Sequence, residues 1–248
     1  MRHLDLFSGI GGFSLGFERV GIRTIGFSEI DSYRSAELRR HWPDVPNYGD
    51  VRNLDAKEIS ADIISGGFPC RDTSEANTKG KGLDGEQSGL WREFRRIIRE
   101  VRPRYAVLEN PRRLRRRGLS TILGDLAALG YDAEWDSFRG YDFGAPHRRE
   151  RIIIIAYPDP TRRRAFGLPC RRMEGRDPLL SRAQVADGFA RFSKAQWPTS
   201  WRDYISGLGR MDDGLSARLA PFNAYADSVM PQIAETIGAA IVAREAVR

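Results

Sequence analysis

Cysteine is nearly absent from this chain: there are two in 248 residues, Cys70 and Cys170, far apart and in unlike settings. That argues against a disulfide framework or a cysteine-rich zinc site and fits a reducing, cytoplasmic setting. Long apolar runs are missing too, and none approaches the length of a membrane span. The opening, Met1 to Phe7, reads as a first strand rather than a leader, because an acid and a glycine-rich loop come at once. Lysine is scarce. Lys plus Arg number 40 against 33 Asp plus Glu, a net charge of +7, and arginine supplies most of the positive side. Arginine forks phosphates and base edges better than lysine. Such a charge is also met in chains that are merely soluble. Its clustering says more: Arg112-Arg113-Leu114-Arg115-Arg116-Arg117, Arg162-Arg163-Arg164 and Arg171-Arg172 suit a polyanion such as nucleic acid.

What is present is an alternation of short apolar runs and amphipathic stretches. Residues 2–7, 24–27, 62–65, 105–108 and 152–156 read as strands; Phe13 to Val20, Ser32 to Trp42, Leu90 to Val101 and Leu119 to Leu129 read as helices. The pattern predicts an α/β fold with a mostly parallel sheet and helices on both faces. After Pro158-Asp159-Pro160 periodicity fades, and Arg, Pro, Gly and aromatic spots take over to about residue 208. A final helix opens near Val229. The expected organisation is a catalytic and cofactor-binding domain over 1–158, a small irregular lobe over 159–208, and a C-terminal segment, 209–248, that returns to the first domain.

Three groups of residues carry chemistry. Gly66-Gly67-Phe68-Pro69-Cys70 follows the run Ile63-Ile64, so a thiol stands at a strand tip, where open α/β sheets place their sites. On this fragment alone a nucleophile and a buried structural cysteine are both open readings. Ser8-Gly9-Ile10-Gly11-Gly12 is a tight turn between strand and helix, with Glu29 twenty residues after Gly9 at the end of the next strand. A glycine turn followed by such an acid suits an adenosine-containing cofactor, the carboxylate taking ribose hydroxyls. Asp50 is placed to reach an adenine amino group, or is simply a surface turn. Glu109-Asn110-Pro111 ends a buried strand, where partial desolvation would let a carboxyl hold or donate a proton; a helix N-cap is the plainer alternative. Arg149 and Arg151 share one face of an extended segment with His147, unless the string is a solvated charge run.

In order, DLFSGIGGFSLGFERVG, SEID, GDV, GGFPC with SGLW, LEN and GAPHRRERIIIIA resemble the ordered motifs of the DNA cytosine-5 methyltransferases, over residues 2–157 and again over about 207–241. The resemblance implies a Rossmann-like S-adenosylmethionine-dependent fold with a target-recognition lobe. It also implies base flipping of a target cytosine in duplex DNA, and attack by Cys70 on ring carbon 6. Glu109 would bond ring nitrogen 3, Arg151 the base carbonyl, and Arg149 would steady the loop. Phe7, Gly9, Gly11, Glu29, Ile30, Asp50, Val51, Pro69, Leu90 and Asp227 would line the cofactor site. Arg71, Ser74, Arg112, Arg113, Arg162, Arg163, Arg164, Arg171 and Arg172 would face DNA. Residues 71–90 correspond to a mobile loop that closes over the duplex, and no metal is implied.

The chain departs from the family's pattern at Arg71, Pro111, His147, Ala226 and Asp227. Active methyltransfer, a weakened enzyme that still binds DNA, and a modified cofactor carrying an anionic group beside Arg71 are the three readings of these changes. A tRNA cytosine-5 methyltransferase and a non-catalytic DNA-binding regulator compete with the DNA enzyme, though a binder has no need of Cys70. The short lobe implies a short target or loose specificity. A monomer is the expected state, from a restriction-modification system or a phage.

Overall fold

A computed structural model describes residues 1–69, 89–140, 149–158 and 228–246. The described chain runs β1 (Arg2–Leu6), α1 (Gly12–Glu18), β2 (Arg23–Ser28), α2 (Ser32–His41), a 3-10 turn (Val51–Asn53), β3 (Ile63–Gly66) and α3 (Leu90–Val101). It continues through β4 (Tyr105–Pro111), α4 (Leu114–Arg117), α5 (Leu119–Ala128), β5 (Tyr131–Arg139), β6 (Glu150–Pro158) and α6 (Pro231–Ala246).

The strands form one sheet in the order β2-β1-β3-β4-β6-β5. The first four are mutually parallel; β6 runs antiparallel to both β4 and β5. Each parallel crossover carries a helix or turn across one face, which is how a parallel sheet becomes buried on both sides. Strand β6 shows this in its side chains. Ile152, Ile154 and Ala156 belong to a core with Trp91, Phe94, Ile97, Ile98, Ile122 and Leu126 from α3 and α5. Ile153, Ile155 and Tyr157 point the other way, into a core with Phe13 and Phe17 of α1 and Ile233, Ile237 and Ile241 of α6. Period-two alternation thus serves two cores at once, and the segment reads as uninterrupted isoleucine.

Two features go beyond the expectation. The Ile-rich strand is antiparallel, and Tyr131–Arg139, not anticipated as a strand, pairs with it along the sheet edge. Asp132, Glu134 and Asp136 gave that segment a loop-like polarity; in the sheet the first two are half-buried, and Glu134 accepts from the Tyr157 hydroxyl. The helices α3 and α5 lie where the apolar spacing placed them.

The α1 face of β1 carries two polar residues, His3 and Asp5, both fully buried. The hydroxyls of Ser14 and Ser65 donate to the two oxygens of Asp5, each at 2.9 Å. Ser65 has spent its one proton, so His3 donates to Ser65 from Nε2 at 2.7 Å and accepts at Nδ1 from Thr24 Oγ1 at 3.1 Å. The line of bonds crosses β2, β1 and β3 and ends in the first turn of α1.

Candidate active site

The glycine turn is built by backbone geometry. Phe7, Gly9 and Gly11 all have positive φ, at 51°, 58° and 84°. Glycine takes such angles freely, whereas Phe7 does so against its side chain. Phe7 stacks on Phe94 of α3, with ring centroids 6.3 Å apart. Ser8 ties the turn to both strands: its hydroxyl donates to the Asp5 carbonyl and accepts from the amide of Ser28.

Glu29 stands at the tip of β2 and is buried against this turn. Its Oε2 accepts from the Gly9 amide and its Oε1 from the Asp31 amide, each at 2.8 Å. Burial pushes its carboxyl above the usual range, while those two amides pull it back. Asn47 clasps the same backbone, accepting from the amide of Glu29 at Oδ1 and donating to its carbonyl from Nδ2. Ile30, next in sequence, is 69% exposed. A Cβ on Gly9 would meet nothing within 4 Å, so the space at the turn is open.

Asp50 accepts from the Arg52 amide at the start of the 3-10 turn and is also forked by the Arg52 guanidinium, with Nη2 at 2.6 Å. That pairing holds its carboxyl below the ordinary value. The turn is held down by Arg96, which sequence reasoning missed. From α3 it donates to the carbonyls of Val51 and Leu54, each at 3.0 Å, and pairs with Glu93 and Glu100. Leu90, at the start of α3, is half-buried against the same core.

The second group gathers at the tips of β3, β4 and β6. Glu109 is a strand residue, not a helix cap, and is 5% exposed. The register sets Glu109 opposite Ile153 and Pro111 opposite Arg151, so Glu109 and Arg151 are diagonal neighbours on one face. Arg151 Nε lies 2.6 Å from Glu109 Oε1. Asn110, buried and facing the other way, donates from Nδ2 to the carbonyl of Phe68 at 3.0 Å, just before the exposed Pro69. Its part was not read from the sequence, although the Glu-Asn pair was. Arg149 precedes β6 and is half-buried, its carbonyl accepting from the Gly140 amide. Arg112 faces out beside it, 65% exposed, with Nε 3.4 Å from Glu150. Arg113 is half-buried in the same turn.

Cys70, Arg71, Ser74, His147, Arg162, Arg163, Arg164, Arg171, Arg172, Ala226 and Asp227 lie outside the described residues, as do the loop over 71–88 and the lobe over 159–208. The C-terminal segment does reach the glycine turn. A Cβ on Gly12 would fall 2.3 Å from the Val229 carbonyl and 2.6 Å from Ser228 Oγ, a contact that only glycine permits. Among the described residues no group of three or more His, Cys, Asp or Glu could hold a metal, and no helix is long and apolar enough to cross a membrane.

The doubly wound sheet, with its glycine turn after the first strand and its antiparallel strand beside β4, is a Rossmann-like methyltransferase fold. Two solved structures share it. The Entamoeba histolytica methyltransferase EhMeth matches with a TM-score of 0.56 and 19% identity, over 64% of this chain and 53% of that one, a likeness of fold. A protein described as a DNA modification methyltransferase encoded within an E. coli prophage matches with a TM-score of 0.53 and 26% identity, over 64% and 47%.

The chain belongs to the C-5 cytosine-specific DNA methylase family, whose profile covers residues 1–203. It is 39% identical over 162 residues to the type II methyltransferase M1.ScrFI of Lactococcus lactis subsp. cremoris, covering 63% of this chain and 41% of that protein. It is 35% identical over 163 residues to M.NgoBI of Neisseria gonorrhoeae, covering 64% and 51%. The chain thus spans about half the length of the curated relatives it matches.

Proposed function

We propose that this chain is a DNA cytosine C5 methyltransferase that uses S-adenosylmethionine. The observation that carries the reading is the pair of buried Glu109 and half-buried Arg151 at the tips of β4 and β6, beside the Phe68–Pro69 turn that leads to Cys70.

The residues at the glycine turn fit the cofactor. Glu29 has one amide on each carboxylate oxygen and keeps a second acceptor site on each for ribose hydroxyls. Ile30 offers exposed apolar surface for a flat purine, and the turn at Gly9 leaves room for a close approach. An adenine amino group at Asp50 would share that carboxylate with Arg52. When bound, S-adenosylmethionine supplies an electrophilic methyl group.

The protein's own groups do the rest. A cytosine turned out of the duplex would present ring carbon 6 to the Cys70 thiolate. As the sulfur–carbon bond forms, the pair from the carbon 5–carbon 6 double bond moves to carbon 5, which becomes the nucleophile. Glu109 bonds ring nitrogen 3 and neutralises the charge that gathers there. Arg151 turns from Glu109 to the base carbonyl oxygen. After carbon 5 has gained its methyl, its proton leaves to a base. The double bond reforms, the Cys70 thiolate is expelled, and the proton held at nitrogen 3 returns to Glu109.

The test is to express the protein and its Cys70→Ala variant in cells without cytosine methylation and to digest their DNA to nucleosides for mass spectrometry. 5-Methylcytosine from the wild type alone is expected. A heavier cytosine adduct would replace the donor with a modified one and make Arg71 the next target. Modified cytosine in RNA only, or in neither nucleic acid, would overturn the DNA methyltransferase reading.

A further inference from the structure

Strands β3 and β4 are parallel neighbours, with Gly66 opposite Leu108. Continuing that register by one or two residues sets Gly67 and Phe68 against Glu109 and Asn110. Asn110 grips one of them through the Phe68 carbonyl. The other contact is defined by a missing side chain. A Cβ on Gly67 would lie 2.7 Å from Glu109 Oε2, 3.5 Å from the Glu109 carbonyl oxygen and 3.8 Å from its Cδ. All three nearest atoms belong to one residue, and the closest is the carboxylate itself. Backbone freedom does not explain the glycine, because Gly67 is not among the residues with positive φ. Space explains it.

We infer that Gly67 is a positioning residue for Glu109: its lack of a side chain leaves the volume in which Oε2 rests, while Arg151 holds Oε1 from β6. The carboxylate is thereby fixed from two strands, and its height above the sheet is set by the residue three before Cys70. A group that must meet a ring nitrogen within hydrogen-bond reach tolerates little displacement. Any side chain at 67 must push the carboxylate or lift the turn. This inference rests on Glu109 acting as proposed above, and its consequence for the carboxylate can be read without turnover.

The test compares Gly67→Ala with Gly124→Ala, a control in α5 where a Cβ meets nothing within 4 Å. Methyl transfer to duplex DNA, KM for S-adenosylmethionine, melting temperature and the carboxyl carbon resonance of Glu109 are recorded for the full chain. Gly67→Ala is expected to lose at least about tenfold in kcat with KM for the cofactor within about twofold, and to move the Glu109 resonance. Glu109→Ala with Gly67→Ala should be no slower than Glu109→Ala alone, since a residue acting through Glu109 has nothing further to lose. Undiminished kcat in Gly67→Ala, or losses that multiply in the double variant, would overturn the inference. If Gly67→Ala fails to fold, the double variant, which removes the clashing partner, should fold; its failure also overturns it. If the wild type modifies no cytosine, the reading of the function falls. The resonance then decides: a shift in Gly67→Ala upholds the positioning, and an unmoved signal rejects it.

Discussion

At the scale of single residues, the buried pair His3 and Asp5 ties this fold to pH. Burial pushes the Asp5 carboxyl up to about 7, against the two hydroxyls that favour its charge, with Glu29 adding repulsion from β2. Burial alone brings the His3 imidazole down to about 3. The two have opposite consequences. Folded Asp5 binds its proton more tightly than the unfolded chain does, so its contribution is complete below pH 3.8 and is lost as pH rises toward 7. Unfolded His3 takes a proton that the folded state refuses, so its contribution is complete above pH 6.5 and is lost as pH falls toward 3. Between about pH 4 and 6.5 the slopes oppose, each at most about 1.4 kcal/mol per pH unit. Chemical denaturation across that window should therefore be flatter for the wild type than for either variant. Asp5→Asn should gain stability with rising pH, and His3→Asn should lose it. Parallel profiles for all three would mean that these groups do not titrate with folding. None of this network was legible beforehand, because a His and an Asp two apart in a strand reveal no partners until Ser14, Thr24 and Ser65 are brought to them.

At the scale of elements, the helices were the easiest part to read. Leu90 to Val101 was bounded by its apolar spacing and the proline that follows, and the structure begins and ends α3 there. The join between α1 and α6 was not legible. A Cβ on Gly16 would fall 2.3 Å from the Pro231 carbonyl, 2.6 Å from Ala234 Cβ and 2.7 Å from the Glu235 amide. Two of those atoms are backbone and cannot step aside. Gly16 is thus a point where the backbones of two helices separated by more than two hundred residues come together, and spacing within α1 alone shows only a weak helix former. Gly16→Ala should destabilise the protein by about 1–3 kcal/mol, the usual cost of overpacking, with α6 shifted outward. Urea denaturation checks it, and the helix propensity of alanine sets the alternative: a gain in stability would mean that the two helices separate without penalty. Strand β5 went unread for a different reason. Its alternating acids gave it the polarity of a loop, and only pairing with β6 makes it a strand.

For the whole molecule, the net charge of +7 and the arginines after β4 bear on the proposed contact with duplex DNA. Each phosphate neutralised contributes about 0.9 to the slope of log affinity against log salt. Duplex affinity measured by anisotropy between 50 and 200 mM salt should fall steeply, conditions in which a few phosphate contacts cost orders of magnitude (~10³ or more for six). Replacing Arg112 and Arg113 by alanine should lower the slope by about two, and an unchanged slope would place the duplex elsewhere. The order of motifs along the chain was enough to identify the family, and it offered Glu29, Glu109 and Arg151 as candidates at strand tips. The isoleucine run was legible as a buried strand between helices on both faces, since a run apolar at every position has no solvent face. Tertiary structure alone decided that this strand runs antiparallel, that Arg151 therefore meets Glu109 on the diagonal, that Arg96 pins the turn beside Asp50, and that Gly67 stands against a carboxylate. Each of these depends on register and contact between segments distant in sequence, and no local pattern of residues carries that information.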